Sequence, residues 1–243
     1  MHRRAGGGKG AIRRPWHNGA VTSPDLSVWW SAPASERAGT PLVLLLHGYG
    51  ADERDLAALV PFLPAGITYA AVRAPHPMEP GFSWFDLQFD PTGRAVGYSS
   101  GAAIDACRTL FTWLDGVRGD FSSVSLLGFS QGMAVATSML RHAPEDFAVI
   151  VGCSGFVLVE DGNVDTSADG YFDDAALAAR RPPMFWGRDQ EDDVIPVELA
   201  EQTAAWLRGK VDLMKVLYAG MGHGINEQEL RHVNEFLTHH LVR

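Results

Sequence analysis

Apolar positions in this chain alternate between short continuous runs and longer stretches with helical spacing. The run at residues 41–50 ("PLVLLLHGYG") is apolar on both faces, which is typical of a strand inside a parallel sheet, and a further strand is predicted at 123–129 ("SVSLLGF"). Helical spacing follows them at residues 52–63 and 131–144. The pattern therefore predicts strands that are each followed by a helix.

The same alternation continues along the rest of the chain. Further strands are predicted at 26–33, 66–75, 147–155, 182–187 and 211–220, and further helices at 100–118, 196–209 and 225–241. Residues 76–96, rich in proline and aromatic side chains, and residues 156–174 have no clear period and are predicted to be irregular. This order predicts an α/β protein with a mostly parallel sheet and helices on both faces. Ligands of such sheets bind beyond the carboxyl ends of the strands.

Charge and cysteine content narrow the class of protein. The 243 residues carry a net charge of −9, which disfavours nucleic acid or an anionic membrane as a partner. No apolar run approaches the roughly 20 residues of a membrane span. Cys107 and Cys153 are too few for a disulfide-dependent secreted domain and predict buried, reduced thiols in a cytoplasmic protein.

The basic, glycine-rich start of the chain differs from the remainder. Residues 1–20 are predicted to be a disordered tail, because no apolar stretch follows their arginines to make a secretion signal. No linker divides residues 21–243, which we expect to form a single domain. A homodimer is compatible with the sequence, which neither requires nor excludes it.

Two serines lie midway between glycines in a Gly-x-Ser-x-Gly pattern: Ser99 in "GYSSG" and Ser130 in "GFSQG". Ser130 lies between a predicted buried strand and a helix, which is the setting of a nucleophile elbow. In that tight turn, side chains larger than hydrogen two residues to either side would collide. Ser99 follows a polar segment, and Ser99 or Ser100 is more simply the N-cap of the next helix. The sequence therefore favours Ser130 as a nucleophile.

A serine nucleophile needs a histidine base and an acid to orient it, and both should follow later strands in the order acid, histidine. Among nine histidines, His223 alone combines a strand end, flanking glycines and this order. The candidate acids follow the strand at 182–187 and are Asp189, Glu191, Asp192 and Asp193. This loop lacks the sixth-position glycine of a calcium loop, and the chain has no HExxH metal pair.

Acyl transfer also requires two N–H donors for the oxyanion. We expect one at Gln131, directly after the serine, and one at Tyr49, in the loop that closes the first apolar run. His47, in the same loop, is expected to be structural. Neither cysteine lies beside a histidine in sequence, which disfavours a thiol nucleophile.

Five segments resemble, in the same order, the phospholipase/carboxylesterase family of α/β-hydrolases, which includes acyl-protein thioesterases. They are "HGYGAD" (47–52), "WFD" (84–86), "GFSQG" (128–132), "DDVIP" (192–196) and "GMGHGI" (220–225). The resemblance covers about residues 41–240. It implies an α/β-hydrolase fold without a large lid domain, and an enzyme that uses no cofactor or metal.

The resemblance also implies which carboxylate is the acid. In the family this residue stands four positions before the proline that corresponds to Pro196, which assigns the role to Asp192. Asp193 stands where the family often has proline, so the segment departs from the pattern next to the acid.

The remaining assignments concern the substrate. The family's oxyanion hole corresponds to the backbone of Tyr49 and Gln131, and its "WFD" segment places Trp84 and Phe85 near the acyl pocket. We therefore expect a serine hydrolase of carboxylic esters with short to medium acyl chains. Hydrolysis of thioesters or lysophospholipids is the alternative, because one triad serves all three. A non-catalytic binding protein with the same fold is a more distant alternative, which the complete set of site positions disfavours.

Overall fold

The computed structural model describes residues 26–98, 100–158 and 170–242. Ser99 and the predicted tail at residues 1–20 lie outside the described residues. The strands are β1 (Val28–Trp30), β2 (Pro41–Leu46), β3 (Thr68–Val72), β4 (His76–Pro77), β5 (Phe82–Ser83), β6 (Leu87–Phe89), β7 (Ala95–Tyr98), β8 (Ser123–Phe129), β9 (Ile150–Cys153), β10 (Pro183–Asp189) and β11 (Asp212–Tyr218). The helices are α1 (Glu53–Ala57), α2 (Ser100–Val117), α3 (Gln131–His142), α4 (Asp174–Arg180), α5 (Val197–Arg208) and α6 (Glu227–Leu241).

One sheet organises the described part of the chain. Its seven strands follow the order β1-β3-β2-β8-β9-β10-β11. Only the pairing of β1 with β3 is antiparallel, and every other neighbouring pair is parallel. The prediction of a mostly parallel sheet is confirmed. The carboxyl ends of the six parallel strands consequently lie along one edge.

The core lies on both faces of this sheet. In β2, Leu42, Leu44 and Leu46 pack with α2 and α3 on one face, whereas Val43 and Leu45 pack with α1 and α6 on the other. Because both faces are covered, the strand is apolar at successive positions rather than at alternate ones. No helix of the described ranges is long and apolar enough to cross a membrane.

The predicted helix at residues 52–63 is shorter in the structure. Helix α1 ends at Ala57, and a separate 3₁₀ turn, Val60–Phe62, contains Pro61. Proline has no N–H to donate, and its ring collides with the carbonyl four residues earlier in an α-helix. The apolar spacing continues past Pro61, but the α-helical backbone does not.

Two other segments differ from their predictions. The stretch at residues 76–96, predicted to be irregular, contains two short hairpins, β4 with β5 and β6 with β7. Helix α4 was not predicted at all. It has seven residues and a single buried one, Leu177, which is too little for a helical period to be visible. Its start does carry a signal, because Asp173 caps it by accepting from the Ala176 N–H.

Candidate active site at the carboxyl edge of the sheet

Ser130 lies between the last residue of β8 and the first residue of α3. Its φ of 53° and ψ of −118° are strained for a residue with a side chain. The backbone N–H of Ser130 donates to Cys153 O on the neighbouring strand, at 2.9 Å. The turn therefore holds the hydroxyl beyond the end of the sheet, as the sequence predicts for a nucleophile elbow.

The two glycines around Ser130 are required by close backbone contacts. A Cβ on Gly132 would lie 1.8 Å from Leu46 O, and a Cβ on Gly128 would lie 2.3 Å from Gly132 O. Both distances are far below van der Waals contact. The predicted reason for the Gly-x-Ser-x-Gly spacing is thus present in the structure, since α3 begins against the ends of β2 and β8.

The structure brings Ser130, His223 and Asp192 together. Ser130 Oγ lies 3.0 Å from His223 Nε2, and His223 Nδ1 lies 3.1 and 3.0 Å from the two carboxylate oxygens of Asp192. A charged carboxylate can only accept, so Nδ1 carries the proton and Nε2 can accept from the serine hydroxyl. The Asp192 side chain is 1% exposed.

Asp192 stays charged although it is buried. Burial alone acts to raise its pKa, but the hydrogen bond from His223 and those from the Ile195 and Val194 N–H groups outweigh that effect and lower the pKa. Both backbone donors lie 2.9 Å from Oδ1. Asp193 is exposed, and it is Asp192 that contacts the imidazole.

The loop after β2 lies against the serine. A Cβ on Gly48 would be 3.4 Å from the Cβ of Ser130. The N–H of Tyr49 in this loop and the N–H of Gln131 at the start of α3 donate to no other described residue. These are the two groups predicted to bind the oxyanion, and a helix N-terminus adds a favourable dipole for negative charge.

The side chain of Gln131 has a role that the sequence did not reveal. Its Oε1 accepts from the Trp84 N–H at 2.9 Å, and its Nε2 donates to Phe85 O at 2.6 Å. The amide thus fixes the "WFD" segment to the nucleophile turn. It also restrains Gln131 itself.

His47 is structural in the described geometry. Its Nε2 accepts from the Ala74 N–H at 3.0 Å, so its Nδ1 carries the proton and donates to Gly48 O at 2.8 Å. Burial lowers the pKa of His47, which keeps the imidazole neutral. Both nitrogens are used to shape the loop, as expected.

Trp84 and Phe85 do not lie where the sequence suggests. Each is only 1% exposed, and the Trp84 indole N–H donates to His47 O at 2.9 Å. Their side chains belong to the core beneath the loop rather than to an open acyl groove, because neighbouring apolar side chains cover them. The exposed aromatic of this segment is Phe89, at 42%, whose ring centroid lies 5.3 Å from that of Tyr49.

The β6–β7 hairpin reaches the site from two sides. Phe89 contacts Tyr49 in the loop after β2, residues 47–52, which we call the oxyanion loop. The Ala95 N–H donates at 3.1 Å to Val194 O in the loop after β10, residues 190–196, which we call the acid loop. Val194 in turn donates to Asp192. This hairpin is therefore the part of the irregular stretch that borders the candidate site.

Ser154 was missed by sequence reasoning. It follows β9 with a positive φ of 45°, and its hydroxyl donates to Gly224 O, directly after His223, at 2.8 Å. The signal was its place after a strand that ends at the same edge of the sheet. Among the described residues, no three His, Cys, Asp or Glu side chains could share a metal ion.

Comparison with known proteins identifies the family. A family model described as phospholipase/carboxylesterase matches residues 32–241. The chain belongs to this family. The crystal structure of esterase PE8 is 30% identical, with a TM-score of 0.69, and the match covers 89% of this chain and 99% of that one. The predicted family and α/β-hydrolase fold are confirmed, and with them an enzyme class that acts on ester bonds.

More distant relatives carry thioesterase names. Acyl-protein thioesterase 1 of Kluyveromyces lactis is 20% identical over 215 residues, which are 81% of this chain and 90% of the relative. The crystal structure of Zea mays acyl-protein thioesterase 2 is 21% identical with a TM-score of 0.68, and the match covers 88% of this chain and 99% of that one. At this identity the likeness of the plant structure shows the fold.

Proposed function

We propose that this protein is a serine hydrolase that cleaves carboxylic esters with short to medium acyl chains through an acyl-enzyme on Ser130. The observation that supports it most directly is the chain of contacts from Ser130 Oγ through His223 to Asp192, each near 3 Å. A serine hydroxyl is a poor nucleophile without such a base.

The first half of the reaction forms the acyl-enzyme. Ser130 Oγ attacks the acyl carbon while its proton passes to His223 Nε2. The carbonyl oxygen becomes an oxyanion that the N–H groups of Tyr49 and Gln131 stabilise. The C–O bond to the leaving alcohol then breaks, and His223 returns the proton to that alcohol.

The second half releases the acid. A water molecule gives its proton to His223 and attacks the acyl carbon, and the same N–H groups bind the second oxyanion. When the bond to Ser130 breaks, His223 protonates Oγ and the free enzyme is restored. Asp192 stays charged throughout and stabilises the imidazolium.

The acyl-chain preference is supported by the aromatic surface at the site. The rings of Tyr49 and Phe89 are in contact next to the oxyanion loop, and Phe89 is partly exposed. We expect this surface to contact the first carbons of an acyl chain.

Two buried, unpaired thiols, Cys107 and Cys153, support a cytoplasmic location.

Thioester hydrolysis is the second candidate, and the relative from Kluyveromyces lactis favours it. The same serine, histidine and oxyanion donors act on a thioester carbonyl, with a thiol as the leaving group. The geometry of the triad does not discriminate between the two leaving groups, so the substrate series below includes both.

Replacing the nucleophile tests the proposal. Ser130→Ala should lose nearly all activity on esters, by up to about 10⁶ in kcat as for the serine of triad proteases, and should not react with a fluorophosphonate probe. Ser99→Ala is the matched control and should keep both. A folded Ser130→Ala protein with wild-type rates would refute the proposed mechanism.

Matched oxygen esters and thioesters of increasing acyl length then define the substrate. We expect kcat/KM to rise by up to about fourfold for each added methylene over the first few carbons and then to level off. A steady rise out to long lipids, with activation at an oil–water interface, would contradict the short-chain preference. Higher kcat/KM on every thioester than on its matched ester would favour the second candidate.

A further inference from the structure

Asp189 lies where two neighbouring strands end. It is the last residue of β10 and pairs in register with Tyr218, the last residue of β11. The next residue continues the pairing, because the Gln190 N–H donates to Tyr218 O at 3.0 Å. The acid loop and the histidine loop, Gly220–Gly224, therefore leave the sheet side by side.

The Asp189 carboxylate binds the histidine loop through backbone N–H groups. Its Oδ2 accepts from Gly222 N at 2.8 Å and also from Met221 N, and its Oδ1 accepts from Glu191 N at 2.8 Å. Gly222 has a φ of 65°, and consecutive N–H groups in such a turn form a concave anion site. Here the anion is a side chain of the same protein.

The surroundings of Asp189 favour its charged form. The side chain is almost completely buried. The N–H of Glu191, followed by those of Gly222 and Met221, lowers the pKa of Asp189 although burial acts to raise it. Hydrogen bonds from N–H groups to a charged carboxylate are about twice as strong as neutral ones.

These hydrogen bonds restrain residues that are adjacent to His223 in the chain. Gly222 directly precedes His223, and Asp189 stands three residues before Asp192. On the other side, Ser154 holds Gly224, directly after His223. Restraints on both neighbours leave the imidazole little freedom to move away from Asp192.

We propose that Asp189 is a positioning residue that sets the His223–Asp192 contact by anchoring the histidine loop to the acid loop. It touches neither the substrate nor the reacting atoms. The inference rests on the proposed function for its effect on rate, but the geometry it describes can be measured without turnover.

Asp189→Asn is the test. The single oxygen of an asparagine amide can accept either from the Met221 and Gly222 N–H groups or from the Glu191 N–H, and its NH₂ group then faces an N–H donor, so the contact between the two loops should weaken and the histidine loop should shift. A displacement of about 1 Å at a catalytic group costs on the order of 100-fold in rate, and we expect that loss in kcat with KM changed by less than about threefold. Asp174→Asn is the control, since it breaks the ion pair with the buried Arg141 on α3 and should lower stability while keeping kcat.

A second readout is independent of activity. The His223 Nδ1 proton, held by Asp192, should give a downfield proton resonance that can be assigned by its loss in His223→Gln. We expect Asp189→Asn to lose or broaden it and Asp174→Asn to retain it. Because this signal needs no substrate, it tests Asp189 even if the proposed reaction proves wrong.

An Asp189→Asn protein with the wild-type resonance and wild-type kcat would show that the anchor is dispensable. If Asp189→Asn does not fold, Asp189→Ser is measured in its place, because the smaller side chain leaves room for a water where the carboxylate was. If neither variant folded, Asp189 would support the whole protein rather than the loop, and the proposal would also be wrong.

Discussion

Buried carboxylates occur at the end of β10 and in the acid loop after it, and also at the start of α6. Their pKa values are lowered in the first region and raised in the second. Asp189 at the end of β10 and Asp192 in the acid loop each accept from two or more backbone N–H groups, and the pKa of each is lowered. Glu229 on α6 is fully buried, and no N–H or O–H group in the described part of the chain donates to either of its oxygens. Burial raises the pKa of Glu229 to about 8, and a hydrogen bond from the Cys153 thiol, a weak donor, lowers it by a smaller amount.

The pKa values differ because the two regions offer different numbers of N–H donors to the carboxylate, although the carboxylates are buried in both. A loop that leaves a strand has free N–H groups that can turn toward a carboxylate. Glu229 instead faces strand β10, where a Cβ on Gly187 would lie 2.0 Å from Glu229 Oε1. The N–H groups of a paired strand are used within the sheet. Glu229 therefore keeps its proton at neutral pH, whereas Asp192 is charged and can stabilise an imidazolium.

Among the carboxylates compared here, the largest expected effect comes from removing the charge of Asp192. In Asp192→Asn the amide oxygen would stay with the Val194 and Ile195 N–H groups, and the NH₂ group would face His223 Nδ1. The imidazole would then carry its proton on Nε2 and could not accept from Ser130. We expect kcat to fall by about 10⁴, as in the equivalent protease variant, with little change in thermal stability.

Steady-state kinetics with a short-chain ester measures this effect, and fluorophosphonate labelling rates check it at the acylation step. A variant within tenfold of the wild-type kcat would show that Asp192 does not orient His223.

A smaller effect, on stability, is expected from Glu229→Gln. The unfolded chain releases the Glu229 proton near pH 4.5 but the folded protein holds it up to about pH 8, so ionisation destabilises the fold as pH rises through this window. A glutamine cannot ionise, so Glu229→Gln does not lose stability in this pH range. Its free energy of unfolding relative to wild type should increase from pH 5 to pH 8, by up to about 1.4 kcal/mol per pH unit, and then stay constant.

Denaturant titrations at several pH values measure the difference. Glu227→Gln on the exposed side of the same helix is the matched control and should show no such trend. An unchanged difference between pH 5 and pH 8 for Glu229→Gln would mean that Glu229 is charged in the folded protein, and the contrast with the acid loop would disappear.

The smallest effect is expected at Asp193, the exposed neighbour of the acid. Asp193→Asn should change kcat/KM by less than about twofold and the free energy of unfolding by less than about 0.5 kcal/mol, because water already solvates this carboxylate. If Asp193→Asn lost more turnover than Asp192→Asn, the acid role would belong to Asp193. That ranking would also mean that the buried carboxylate is not the one that acts on His223.

The sequence alone determined the features that depend on neighbouring residues. A continuous apolar run predicted β2, and glycines two residues to either side of Ser130 predicted the sharp turn between β8 and α3. The order of strand ends predicted His223. These signals are local, because a strand, its following turn and the next helix are contiguous in the chain.

Only the tertiary structure decided which side chains are buried and which donors they meet. Trp84 and Phe85 looked like pocket residues but pack under the loop after β2, about forty residues earlier in the chain. The resemblance pointed to Asp192, yet among four nearby carboxylates only its contact with His223, 31 residues away, distinguishes it. The hydrogen bonds of Asp189 and the apolar surroundings of Glu229 also arise where distant strands and helices meet. A carboxylate's charge depends on the groups around it in space, and these groups come from distant parts of the chain, so the spacing of residues in the sequence does not predict them.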